Sequence, residues 1–305
     1  SLALSPHALP TGDVAPAPGL VHVDRAQIQR IGAGLKTSAA SASLTFTGAP
    51  FPERDDPRAA ELLALATLHQ FGFWTATDTQ WTGPMFATAN GRRFKGSDFV
   101  WQAFTRAVAA DATVLEPARL ASEPLLFDEI CRDDGGRCPV PDVAAHRSLQ
   151  QAWGVAMVAC GGFGVLLDEA RRSSHPIRTL LQRLVVLPGF REDPLAKKAM
   201  LLVLILVARP DGLLPGRDRE NIGPIVDYHL MRGCLRTGCV RVTDPDLRAR
   251  LEGRLWVDGA QEAAVRFACR DALVALSEAA QLGVAPIDGF FFANGRRACL
   301  ETERP

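Results

Sequence analysis

The 305-residue sequence carries no net charge, because 34 basic side chains are matched by 34 acidic ones. A protein that grips a long duplex usually presents a basic face that displaces counterions, and a balanced total argues against that class. A small anionic ligand needs only a few arginines or lysines and stays open. No Cys-x-x-Cys pair occurs among the seven cysteines, at 131, 138, 160, 234, 239, 269 and 299. Their odd number and wide spacing argue against a disulfide framework or a closed zinc site, so a reducing cytoplasm is the expected compartment. No apolar run approaches the roughly 20 residues a membrane span needs; the longest, 199–208, reads as a buried helix. The opening residues show no charged segment before an apolar stretch, so no secretory signal is expected. His69, His146 and His175 lack ligand-like spacing, and neither a metal nor a cofactor is expected.

Hydrophobic residues make up 47% of the chain and charged residues 22%, which supports a sizeable core and a globular rather than disordered chain. Residues 1–20, rich in Pro and Ala, read as an extended arm. Asp24 then caps a short helix with Ile28, Ile31 and Leu35 on one face. An amphipathic helix follows over 56–70, with Pro57 at its first position and Leu62, Leu65 and Leu68 recurring. Between short apolar runs, Asn90-Gly91 marks a hairpin, since a tight primed turn needs positive φ at both central residues. No other β structure is expected outside this region, 72–95. From Ser97 the pattern is helical, with Phe99, Val100, Phe104 and Val108 at helical spacing. A Cys/Pro/Gly-rich loop at 131–142 leads to Asp142, which is placed to cap the next helix. Further helices are expected over 148–159, 163–172, 177–186, 195–207, 227–237 and 260–281.

Two segments carry chemistry. One is Leu187-Pro188-Gly189 with Lys197 and Lys198 shortly after; the other is Val226-Asp227-Tyr228-His229, followed by Arg232 and Arg236. Asp227 follows Gly223-Pro224-Ile225-Val226, which cannot be continuous helix, so it stands at a helix start. A carboxylate there is favoured by the helix dipole. His229 and Arg232, three apart, share a helix face. An acid so placed suits a reaction that develops positive charge on a sugar, such as cleavage of an N-glycosidic bond. The plainer alternative is that Asp227 is an N-cap and nothing more. Phe71, Phe73 and Trp74 form an aromatic group that either stacks a heterocycle or fills the core. Asp78 either accepts hydrogen bonds from a base or caps a turn.

The ordered pair of segments resembles the helix-hairpin-helix DNA glycosylases, in which a Leu-Pro-Gly hairpin precedes a Val-Asp-x-His segment with a catalytic Asp. A wider resemblance, from about residue 21 to the last helix, is to the queuosine salvage proteins, queuosine 5′-phosphate N-glycosidases of related fold. It rests on Val21-His22-Val23-Asp24, Phe71-Gly72-Phe73-Trp74, the Gly91-to-Gly96 step, Lys197-Lys198-Ala199-Met200 and Val226-Asp227-Tyr228-His229-Leu230-Met231. His229 and Met231 stand where that family has Arg and Pro. The resemblance implies a mainly α, helix-hairpin-helix DNA-glycosylase-like fold with a small antiparallel sheet near 72–95. It divides the chain into the arm at 1–20, an N-terminal helical lobe at 21–135 and a glycosylase-like lobe at 136–305.

It further implies Asp227 as the catalytic carboxylate, assisted by Lys197, which would meet Asp227 or a substrate phosphate, with Lys198 solvated. Phe73 and Trp74 would stack the base, and Asp78, Tyr228, His229 and Arg232 would complete substrate binding. The implied partner is a small nucleotide bound by a monomer without a membrane. A DNA base-excision glycosylase and a non-catalytic nucleotide-binding relative are the alternatives. Asn294 to Cys299 resembles the lead-in to the iron–sulfur loop of some helix-hairpin-helix glycosylases. That loop needs four close cysteines, so Cys269 and Cys299 read as ordinary buried thiols.

Overall fold

The computed structural model describes residues 15–38 and 46–297; Cys299 and most of the 1–20 arm lie outside them. In chain order the elements are β1 (Val21–Val23), α1 (Arg25–Ser38), α2 (Ala59–Leu68), β2 (Trp74–Ala76), β3 (Trp81–Pro84), β4 (Phe86–Ala89), β5 (Arg92–Lys95) and α3 (Gly96–Ala110). They continue with α4 (Pro117–Ser122), α5 (Leu126–Ile130), α6 (Val143–Cys160), α7 (Phe163–Arg172), α8 (Pro176–Leu184) and α9 (Lys197–Ala208). The last are α10 (Tyr228–Arg236), β6 (Val240–Val242), α11 (Pro245–Glu252), α12 (Gly259–Ala280) and α13 (Val284–Arg297). The chain is mainly helical, with small antiparallel sheets of two strands each. No single helix among the described residues is long and apolar enough to cross a membrane; α6 and α7 reach that length only together, across a 57° break.

The chain packs into two compact units that interleave in sequence. The first is drawn from 1–44, 76–82 and 222–305, the second from 45–75 and 83–221. This differs from the single boundary near 135 expected from the sequence, because a cut in a linear reading cannot show a chain that leaves a unit and returns.

The first unit is organised around α12, which packs against α1, α10 and α13. Asp258 opens α12 with a reciprocal capping box to Gln261, satisfying two otherwise orphaned donors. Asp24 caps α1 as expected, its Oδ1 accepting from Gln27 N at 2.9 Å. At Gly32 a Cβ would lie 2.5 Å from Ala279 Cβ, so α1 and α12 cross with almost nothing between their backbones. The sheet here was not expected. Val21, His22 and Val23 pair antiparallel with Val242, Arg241 and Val240, strands too short to show a period. Helix α13 was also missed, because Pro286, Gly289 and Gly295 read as breakers. Pro286 lies in its first turn, where a missing N–H costs nothing.

The second unit surrounds α2 with α3, α7 and α9. Every residue of α2 except Glu61 is buried, which corrects the amphipathic reading: the helix is the centre of this unit and has no solvent face. The hairpin at Asn90-Gly91 forms as expected. The two residues have φ of 53° and 71°, and β4 pairs with β5 from Phe86↔Lys95 to Ala89↔Arg92. Phe99, Val100, Phe104 and Val108 all point into the core. Asp142 does not cap α6; it takes a left-handed conformation and its side chain makes no cap bond. Leu187-Pro188-Gly189 lies in the turn between α8 and α9. Gly189 has φ +85°, and a Cβ there would come within 2.2 Å of Leu68 Cδ1. Glu192 and Asp193 hold this turn: Gly189 N donates to Glu192 Oε2, and Leu195 N and Lys197 N donate to Asp193.

Candidate functional site

The predicted carboxylate is where its sequence context puts it. The 223–226 segment runs without helix into Asp227, whose backbone is extended. Its Oδ1 accepts hydrogen bonds from His229 N at 2.8 Å and Leu230 N at 2.9 Å. These are among the four N–H groups that a helix start leaves unpaired, and they fix a half-buried carboxylate at the positive end of α10.

His229 and Arg232 share a face of α10, as their spacing predicts, and both are buried. Arg232 Nη2 lies 3.1 Å from His229 Nδ1 and also donates to Gly295 O at 2.7 Å. A guanidinium can only donate, so Nδ1 accepts and the imidazole carries its proton on Nε2. The Tyr228 ring packs on the His229 ring at 4.0 Å between centroids, and Phe292 meets His229 edge-on at 5.2 Å. Helix α13 closes on α10 because Gly233 leaves room for Phe291: a Cβ at 233 would be 2.4 Å from Phe291 Cδ1.

The residue that sequence reasoning missed is Asp288 on α13. It is 4% exposed. Its Oδ2 accepts from Ile225 N at 2.7 Å, and its Oδ1 has no hydrogen-bond partner. Burial, with the nearby Asp227 carboxylate adding to it, pushes the Asp288 carboxyl up to about 8. The sequence did hold a signal: a lone acid inside Ile287-Asp288-Gly289-Phe290-Phe291 has nowhere apolar to hide.

Asp78 belongs to the first unit's 76–82 segment and is exposed. The turn around it is made by Thr77, whose N–H and hydroxyl both donate to Gln80 O. Cys269 is a free, buried thiol, as expected.

Lys197, Phe73 and Trp74 belong to the second unit. Phe73 and Trp74 are 9% and 7% exposed, with Phe73 lying beneath Gly96. Lys197 Nζ donates to Gln70 O at 2.8 Å. Lys198 corrects the expectation of a solvated side chain. It is 6% exposed, donates to Leu68 O at 3.0 Å and lies 4.7 Å from the Phe71 ring centroid. Burial, reinforced by Lys197, pushes its ammonium down to about 7. Close by, His69 and His146 face each other with Nδ1 atoms 3.0 Å apart, and burial pushes both well down, His146 to about 3. A separate cavity of about 430 Å³ in this unit is walled by Leu65, Leu120, Trp153 and Phe163, and holds none of the predicted residues.

Neither a scan against protein-family models nor a search of curated protein sequences finds a match to this chain. Function is therefore argued from the site itself. Among the described residues no group of three or more His, Cys, Asp or Glu side chains could hold a metal ion. The arrangement of the first unit offers a carboxylate fixed on helix N–H groups, a neutral imidazole braced by a guanidinium, and a second, buried carboxyl. It can stabilise a developing cation without further reorganisation.

Proposed function

We propose that the chain is an N-glycosidase that hydrolyses the base–sugar bond of a 7-deazaguanine nucleotide, converting queuosine 5′-phosphate to queuine and ribose 5-phosphate. The observation that carries this reading is the half-buried Asp227 carboxylate, pinned through one oxygen by two backbone N–H groups of α10. In the reaction the C1′–N bond breaks with its electron pair leaving on the base, and the ribose ring becomes oxocarbenium-like. A pre-oriented carboxylate stabilises that cation. Water then adds at C1′, and the proton it gives up balances the one the base takes. Half-buried Tyr228 stands next to Asp227, and His229 and Arg232 lie buried on the same helix. For Phe73, Trp74, Asp78 and Lys197 the reading keeps the roles implied by the resemblance to the queuosine salvage proteins.

The test is release of free base from purified protein supplied with queuosine 5′-phosphate, its nucleoside, and a damaged-base DNA duplex. Release from the nucleotide that disappears in Asp227→Asn supports the proposal. Release from duplex alone makes the chain a DNA glycosylase. Tight nucleotide binding without release makes it a binding protein.

A further inference from the structure

Asp288 and Asp227 come from different helices, 61 positions apart, and meet at the start of α10. Only one of them is placed to carry charge in contact with solvent. Asp288 is buried, and so is Ile225, whose N–H donates to it. Its one hydrogen bond goes backward, to the backbone of the segment that leads into the helix. That segment has no helical ladder of its own, so Ile225 N–H would otherwise be a buried donor without a partner, which is costly.

We propose that Asp288 is a positioning residue for Asp227: it ties Ile225, and with it the whole 223–226 entry, to α13, and so fixes where the Asp227 carboxylate stands. The proposal rests on the N-glycosidase reading for its rate measurements only. A regulatory consequence follows from the surroundings of Asp288. The groups that face it are Asp227 at the start of α10, and Cys234 on α10, itself hydrogen-bonded to Cys269 of α12. His229 and Arg232 face α13 further along, at Phe292 and Gly295. While Asp288 holds its proton, it adds no negative charge beside Asp227 at the helix start. When Asp288 ionises, a second negative charge appears beside Asp227 in a buried place that cannot solvate it, while its carboxylate still accepts the Ile225 N–H. The site is therefore built to lose activity on the alkaline side.

The experiment compares wild type, Asp288→Ala and Asp288→Asn. Infrared difference spectra of wild type minus Asp288→Asn should show a protonated-carboxyl C=O band at neutral pH that titrates away near pH 8. Asp288→Ala should lose about 100-fold in kcat, the scale of a misplaced catalytic group. Asp288→Asn keeps an acceptor for Ile225 N–H and should recover at least about tenfold of that loss. It should also lack the alkaline fall seen in wild type. The proposal is overturned if no protonated-carboxyl band is present at neutral pH, or if Asn is as slow as Ala with the wild-type pH profile. Should wild type release no base from any nucleotide, the glycosidase reading fails; the infrared band, together with the effect of Asp288→Ala on stability, still decides what Asp288 does.

Discussion

Asp288 in the first unit and Lys198 in the second are opposite versions of one situation. Each is nearly sealed from solvent, each bonds only to backbone, and each has a half-buried neighbour of its own charge sign, Asp227 for one and Lys197 for the other. In both cases burial is the larger cause of the shift and the like-charged neighbour adds to it. The surroundings separate them. Lys198 lies against the rings of Phe71 and Phe190 and near the His69–His146 pair, a packed interior. Asp288 stands behind a carboxylate that helix N–H groups hold at a half-open position. Perturbation alone does not separate them; the proposed site is distinguished by a neighbour that is both fixed and half-open to solvent.

The largest effect that could break this contrast is at Asp227. Asn is as good an N-cap as Asp, so Asp227→Asn removes the charge and keeps the helix start. Base release should fall by about a thousandfold with an unchanged circular dichroism spectrum. Asp227→Ala should lose about 1 kcal/mol of stability besides. Parental rates in Asp227→Asn would reduce that residue to a cap and leave the two units alike.

The next effect is on stability against pH, measured as the difference between each variant and the parent so that other groups cancel. The Asp288 carboxyl is raised in the fold, so its contribution is fully present below the ordinary carboxylate range and is lost as pH rises toward about 8. The Lys198 ammonium is depressed, so the folded chain binds fewer protons than the unfolded one between about 7 and the ordinary lysine value of 10.5. Its contribution therefore recovers as pH rises through that window. The slopes should have opposite signs, each about 1.4 kcal/mol per pH unit at most. Urea denaturation of Asp288→Asn should remove the falling slope and that of Lys198→Met the rising one. Matching curves for variant and parent would show that the group titrates normally.

Smaller still are two glycine substitutions. Gly189→Ala places a Cβ against Leu68 in a left-handed backbone, combining overpacking with a conformational cost, and should lose about 3 kcal/mol. Gly233→Ala meets the Phe291 ring but gains about 1 kcal/mol of helix propensity, and should lose about 1–2 kcal/mol. Reversal of that order in urea titrations would show that α10 and α13 are the less adaptable contact.

The elements that could be read from the sequence are those set by local chemistry. Asn90-Gly91 supplies the positive φ that a primed turn needs, and Asp227 after a Pro-containing segment is a favoured N-cap. What stayed hidden depends on distant partners. Strands β1 and β6 are three residues each and acquire meaning only in each other's company. Asp288 lies where no helix was expected, and its position becomes meaningful only once α13 packs against α10. The lysine pair shows the limit most sharply. Neighbours on a helix point about 100° apart, so the two lysines meet different surroundings, and it is Lys198, expected to be solvated, that is buried. Helix α2 was misread for the same reason, since a fully apolar turn and a one-sided one differ by few residues.

The interleaving of the two units bears on how the chain matures. Residues 45–221 contain, apart from 76–82, everything the second unit needs, so it is finished at the ribosome while much of the first is still unmade. Strand β1 and helix α1 are made more than two hundred residues ahead of their partners β6 and α12. At about 5–20 residues per second of synthesis, the Gly32 face that fits Ala279 so closely waits on the order of ten seconds or more for its counterpart. Such a delay suits chaperone capture of the nascent α1, and a cut anywhere between α1 and β6 would separate the two halves of the first unit.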